Sequence, residues 1–122
     1  MNRALPLVAA ACALATGSAL AQPYGFEGVW GRVDLGCTGD GDRVPTEITS
    51  RELRFYESSC AIARVAPLGP GGESWRIEAR CAGEGEEWPA AYILARHRHG
   101  DDDWLTMIDA TEGYAWLLAA CP

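Results

Sequence analysis

The sequence predicts an all-β domain, either a small antiparallel up-and-down barrel or a strongly curved sheet, with about eight short strands and two disulfides. Three observations predict it. From residue 26 onward the apolar residues show little helical periodicity. Short β-branched and aromatic runs alternate instead with clusters of Gly, Pro and Asp, which is typical of strands and turns. Four cysteines follow the first 21 residues, an even number that suits a small crosslinked domain.

Eight apolar runs predict the strands, and turn signals separate them. A Gly- and Asp-rich loop, 36–45, follows the first run, and the strongest turn signal is 67–72. The run 74–81 alternates cleanly, so every second residue from Trp75 to Cys81 lies on one face. In order, the runs are 26–35, 46–49, 52–57, 60–66, 74–81, 88–96, 104–109 and 114–121.

The interior of an eight-stranded barrel is either filled by side chains or holds one small ligand. The candidate inward residues here are few and often large, so we expect a mostly filled interior. They are Trp30, Trp75, Trp88, Tyr92 and Trp116.

The four cysteines are expected to form two disulfides. A hairpin centred between residues 70 and 71 places Cys60 directly opposite Cys81 if the turn is symmetric and the strands carry no bulge. The remaining pair, Cys37 and Cys121, would then tie the end of the first strand to the end of the last. No C-x-x-C spacing supports a metal site as the alternative.

Residues 1–21 predict a secretory signal peptide. Arg3 supplies a short positive region, 5–14 is the apolar core, and cleavage is expected after Ala21. Removal of this leader leaves 22–122, enough chain for a single β-barrel-like domain.

A lipoprotein signal, cut before Cys12 and lipidated there, is the alternative use of the leader. No other segment is long or apolar enough to span a bilayer, so no membrane insertion is expected after cleavage. Every basic residue is Arg, and the chain is rich in Ala and Gly. That composition is typical of a GC-rich genome and favours a periplasmic or secreted bacterial protein.

The net charge of −7 at pH 7 argues against nucleic acid and against anionic membrane surfaces as partners. We interpret the negative charge mainly as a feature that keeps the protein soluble. We expect a monomer. A protein partner of unknown identity stays open.

Two polar segments could in principle bind a metal ion. His97 and His99 lie two apart, and 101–103 is a run of three aspartates. No convincing further ligand accompanies them, so we interpret the segment as a solvated turn. Asp40 and Asp42 resemble part of a calcium loop but lack its remaining acidic positions. We therefore expect no metal and no cofactor.

Catalytic signals are weak. Glu84, Glu86 and Glu87 crowd one turn, where water would screen the mutual repulsion that acid catalysis by crowded carboxylates needs. The chain has no G-x-S-x-G elbow, and its cysteines are expected to be oxidised rather than nucleophilic. We expect that the protein is not an enzyme.

The segment Gly28-Val29-Trp30 resembles the G-x-W that opens calycin (lipocalin-like) barrels. With Cys37 soon after, it also resembles small periplasmic inhibitors of bacterial metalloproteases, which are similar to shrunken calycins. The G-x-W, the four cysteines and the turn 81–85 are similar to small uncharacterised secreted proteins of proteobacteria. The resemblance implies that Trp30 closes the barrel floor and that Gly28 allows close backbone approach, both as structural residues.

Two functions follow as expectations. The first is a non-enzymatic periplasmic or secreted binding protein, inhibitor-like or an envelope accessory, that acts through protein–protein contact. The alternative is a calycin-like carrier of a small apolar ligand. The interior of the barrel distinguishes the two functions, because a carrier needs a connected cavity lined by Trp and Leu.

Overall fold

A computed structural model describes residues 24–122 together with Ala4 and Pro6. The remainder of the predicted signal peptide, its cleavage after Ala21 and the alternative lipidation at Cys12 lie outside the described residues. Within the described part of the chain, no helix is long and apolar enough to cross a membrane.

The chain folds as a closed antiparallel barrel of eight strands, which confirms the predicted all-β class. Each strand pairs with the next in sequence, and the first pairs with the last through Trp30 and Ala120. The strands are β1 Gly28–Arg32, β2 Thr46–Ile48, β3 Glu52–Arg54, β4 Ser59–Pro67, β5 Ser74–Gly83, β6 Glu86–His99, β7 Asp102–Asp109 and β8 Ala115–Ala120.

The first strand is shorter than the predicted run 26–35 because the chain turns back at its end. The carbonyl of Arg32 accepts hydrogen bonds from the amides of Leu35 (3.0 Å) and Gly36 (2.8 Å). The long loop that follows contains a 3₁₀ helix, Gly41–Arg43, which the sequence did not predict.

The polar segment 97–103, which we interpreted as a solvated turn, is mostly strand. β6 continues to His99 and β7 begins at Asp102, so the reversal needs only two residues between them. Gly100 has a φ of 62°, a conformation that side chains disfavour, and this allows the tight connection.

One end of the barrel interior is filled. Phe26, just before β1, is fully buried and packs edge-on against Trp75 at a centroid distance of 5.0 Å. Trp30 is 3% exposed, and its indole Nε1 donates to the carbonyl of Phe26 at 2.9 Å. Arg96 donates from Nη1 to the carbonyl of Gly25 (3.2 Å), which fixes the segment that covers this end.

Gly28 lies next to this packing. Its φ of 148° lies where residues with a side chain rarely occur, and a Cβ there would lie 3.4 Å from Nε1 of Trp30. Its structural role is consistent with this geometry but stays a prediction.

Both predicted disulfides are present. Cys60 and Cys81 lie directly opposite each other with a Cα–Cα distance of 3.9 Å. The predicted register was wrong in one respect: near the turn it is offset by one residue, and a bulge between Ile62 and Arg64 restores the alignment at the cysteines.

The second disulfide joins Cys37 to Cys121, 84 residues apart in sequence. It links the loop after β1 to the residue that follows β8, next to the seam that closes the barrel. Both disulfides are compatible with an extracytoplasmic protein.

Candidate functional site

A cavity of about 320 Å³ opens at the end of the barrel opposite Phe26. We call it the mouth cavity. Its lining comes from the end of β1, the start of β2, the β3–β4 connection and the start of β8, which meet at one end because neighbouring strands are antiparallel. Inward side chains form its floor and walls: Trp30, Phe55, Tyr92, Met107, Trp116 and Leu118.

The floor of the mouth cavity is apolar and buried. Trp30, Met107 and Leu118 are at most 3% exposed and belong to the hydrophobic core. Because Nε1 of Trp30 already donates to Phe26, Trp30 offers the cavity its ring and no free donor. A floor of this kind favours the apolar part of a ligand.

The interior is therefore filled at one end and open at the other. Trp88 and Trp116 pack against the core but are only half-buried. Trp116 lines the mouth cavity, whereas Trp88 lines a separate surface pocket. The expected mostly filled interior describes the closed end and not the mouth.

Tyr92 is the polar side chain of the wall. It is 5% exposed, and its hydroxyl oxygen lies 3.9 Å from Sγ of Cys60. Since Cys60 is in a disulfide and carries no proton, the hydroxyl is the donor in this weak contact. Burial, with a smaller contribution from the nearby carboxylate of Asp109, raises the pKa of Tyr92 to about 12. The phenol thus stays protonated at neutral pH.

The β1–β2 loop forms the charged part of the rim. The guanidinium of Arg32 donates to both carboxylate oxygens of Asp34, at 3.2 and 2.8 Å. Arg43 and Asp42, in the 3₁₀ helix, also line the mouth cavity. Among residues 24–122 neither has an oppositely charged side chain within 4.0 Å. The two opposite charges leave the rim without a strong net sign.

Gly31 lets this loop pack closely on the outer face of β1. A Cβ at Gly31 would lie 2.8 Å from Sγ of Cys37 and would also clash with the backbone of Gly36. The loop is thereby held against the barrel before it reaches the rim, and the bond from Cys37 to Cys121 fixes it there.

Exposed aromatic side chains surround the remainder of the opening. Tyr56 is 57% exposed and lines the mouth cavity. Tyr114, which is 62% exposed, lies 6.3 Å from Trp116 between ring centroids. The opening therefore presents aromatic surface to solvent.

The predicted histidine segment lies elsewhere, on the outer face of β6 and β7. Nε2 of His97 is 3.0 Å from Oγ1 of Thr106, and His99 stacks on Trp104 with ring centroids 4.1 Å apart. Asp103 accepts from Arg96 at 3.1 Å. Across residues 24–122 no three His, Cys, Asp or Glu side chains are grouped to hold a metal ion.

The other acidic candidates lie in two places, the β1–β2 loop and the β5–β6 turn. Asp40 precedes the 3₁₀ helix and makes no side-chain hydrogen bond to it. Glu84 has a positive φ of 51° in the β5–β6 turn. Glu86 and Glu87 begin β6 and, with Trp88, line a shallow surface pocket away from the mouth cavity.

Sequence reasoning missed Gly31, Arg43 and Tyr56. Alternation from Trp30 puts Arg32 on the inward face of β1, and this signal could have indicated a polar rim. The other three depend on where a long loop and a turn lie in space, which local patterning does not indicate.

Comparison of the chain with protein-family models, with curated proteins and with solved structures found no match.

Proposed function

We propose that the protein is a non-enzymatic, extracytoplasmic binding protein that holds a small, largely apolar molecule in the mouth cavity. The observation that supports this most is the mouth cavity itself. Its volume of about 320 Å³ is at the lower end of the range for small-molecule sites, and its wall is mainly aromatic and aliphatic. A carrier of this kind is the alternative function that we expected from the sequence.

The side chains of the cavity support binding rather than catalysis. Its lining includes no histidine and no cysteine, and the hydroxyl of Ser58 has no hydrogen-bonded base among residues 24–122. Tyr92, with its raised pKa, is a poor general base at neutral pH. Nucleophilic catalysis needs a nucleophile that a neighbouring base activates.

We place the protein in the bacterial periplasm or outside the cell. Two disulfides and the predicted signal peptide support this. N-terminal analysis of exported protein should find a start at Gln22, blocked or unblocked, and a start at lipidated Cys12 would contradict it.

A titration with the neutral fluorescent probe N-phenyl-1-naphthylamine tests the proposal. The wild type should enhance and blue-shift the probe's emission at a stoichiometry of one. Thr46→Trp should abolish this signal, because Thr46 lies in the cavity lining and a large ring there occupies the space.

Glu47→Trp is the matched control. It adds the same side chain one residue later, on the exposed outer face of the same strand, and should bind the probe like the wild type. Equal probe binding by all three proteins would show that the probe sits elsewhere and would refute the proposed site.

Protein–protein contact through the mouth is the second candidate. The exposed rings of Tyr56 and Tyr114 beside the opening favour it, since aromatic residues are enriched at interfaces. A partner seated there would compete with the probe, whereas a carrier would need no partner to bind it.

A further inference from the structure

We propose that the ligand of the mouth cavity carries a hydrogen-bond acceptor, such as a ketone, ester or amide oxygen, within its apolar body, and that the hydroxyl of Tyr92 donates to it. This inference rests on the proposed binding function and specifies the class of ligand.

The position of Tyr92 is the first step. It lies on the inward face of β6, between the buried residues Ala90 and Leu94, and it is 5% exposed. Its ring packs against Phe55, another wall residue, at a centroid distance of 5.8 Å. The strand and the ring contact fix the side chain on the wall of the cavity.

The bonding of the hydroxyl is the second step. Its only hydrogen-bond contact within residues 24–122 is Sγ of Cys60, at 3.9 Å. A disulfide sulfur is a weak acceptor, and 3.9 Å is long for a hydrogen bond even to sulfur. A buried hydroxyl with so weak a partner loses much of its solvation without replacement. The oxygen of a ligand would supply the missing acceptor.

The chemistry of the neighbouring groups is the third step. The indole N–H of Trp30 is already used by the carbonyl of Phe26, and Met107 and Leu118 carry no donor. Among the buried side chains that line the cavity, Tyr92 is therefore the one whose donor is not already bonded to a strong acceptor. Its proton is retained across the physiological pH range, so the hydroxyl is available as a donor.

A matched pair of bicyclic compounds tests this step. 2-Acetylnaphthalene carries a carbonyl acceptor, and 2-isopropenylnaphthalene has nearly the same shape without it. Their affinities are measured by displacement of N-phenyl-1-naphthylamine from the wild type and from Tyr92→Phe. Tyr92→Phe should lower the affinity for the ketone by about fivefold, which corresponds to the loss of one neutral hydrogen bond. It should change the affinity for the alkene by less than a factor of two.

Two readouts separate this effect from a change in packing. The carbonyl stretch of bound 2-acetylnaphthalene should lie at lower frequency in the wild type than in Tyr92→Phe. Tyr114→Phe, which removes a hydroxyl exposed to solvent near the mouth, should change neither the affinity ratio nor the frequency. Thermal unfolding of Tyr92→Phe should match the wild type, since the lost contact is weak.

The outcomes are distinguishable. If both compounds bind and Tyr92→Phe changes them equally, the role of Tyr92 is refuted while the binding function stands. If neither compound nor the probe binds the wild type, the inference and the proposed function fail together. A selective loss of the ketone with the shifted carbonyl band supports the inference.

Discussion

Trp30 contributes both to the stability of the barrel and to the floor of its mouth cavity. Its ring is 3% exposed and its N–H is bonded to Phe26. That Trp30 is a structural residue stays a prediction, since the same ring has a core side and a cavity side.

Trp30→Ala should destabilise the oxidised protein by about 3–5 kcal/mol, because it removes a buried indole and leaves a void. Urea unfolding followed by circular dichroism measures this. Trp104→Ala, which removes a half-buried indole from the outer face, is the control. It should lower the free energy of unfolding clearly less. Wild-type stability of Trp30→Ala would contradict the burial of this ring.

Tyr92 gives the protein a specific alkaline sensitivity. Its pKa is raised from 10.0 to about 12, so folding favours the protonated phenol. At neutral pH both the folded and the unfolded state hold this proton, and the group adds no pH dependence. As the pH rises from 10 towards 12 the unfolded state ionises first, and the free energy of unfolding falls by up to about 3 kcal/mol.

Urea unfolding at a series of alkaline pH values measures this effect. Tyr92→Phe should lack this part of the decline, so the stabilities of the two proteins should diverge above about pH 10. Parallel curves for the wild type and the variant would show that Tyr92 is not shielded from water.

At the scale of elements, the alternation of apolar and polar residues predicted strands well where one face is buried and the other is exposed to solvent. The alternation from Trp75 to Cys81 appears in the structure as alternate burial along β5. The β4 bulge was missed because an added residue leaves both flanking stretches locally regular. The disulfide was still assigned correctly, since the bulge compensates for the offset at the turn.

The β1–β2 loop was the least predictable element. Its Gly and Asp content indicated a loop, but its course depends on Gly31, which lies within a strand and whose missing side chain makes room for the loop. The mouth cavity was missed for a related reason. Patterning shows which rings face inward but not how far Trp116 extends across the barrel.

Gly31→Ala should therefore disturb the loop more than a typical strand substitution. The new methyl group would meet Sγ of Cys37 and the backbone of Gly36, so the loop must move away. We expect a lower melting temperature and weaker probe binding at the rim. Gly71→Ala, at a turn position with open space around it, is the control and should preserve both. Unchanged behaviour of Gly31→Ala would show that the loop is not held at this point.

At the scale of the whole molecule, the two disulfides have different accessibility. Cys60 and Cys81 are at most 1% exposed, whereas Cys37 and Cys121 are half-buried next to the seam. Reduction needs a thiolate to reach a sulfur atom, so access controls which bond opens first.

Mild reduction of the native protein should open the bond between Cys37 and Cys121 first. Alkylation and peptide mapping at short times would then label those two cysteines and spare Cys60 and Cys81. In the chain-entropy model this bond, which closes the longer loop, contributes about 4.5 kcal/mol. Early labelling of Cys60 would contradict the packing of the barrel interior.

Native mass spectrometry of the protein purified from the periplasm, without denaturation, tests the central claim most directly. The wild type should carry one small organic molecule, released on activation, and Thr46→Trp prepared in parallel should carry none. The released molecule should contain an oxygen acceptor in an otherwise apolar body. A bare wild-type chain, or a protein partner in place of the small molecule, would contradict the assignment of the mouth cavity as a ligand site.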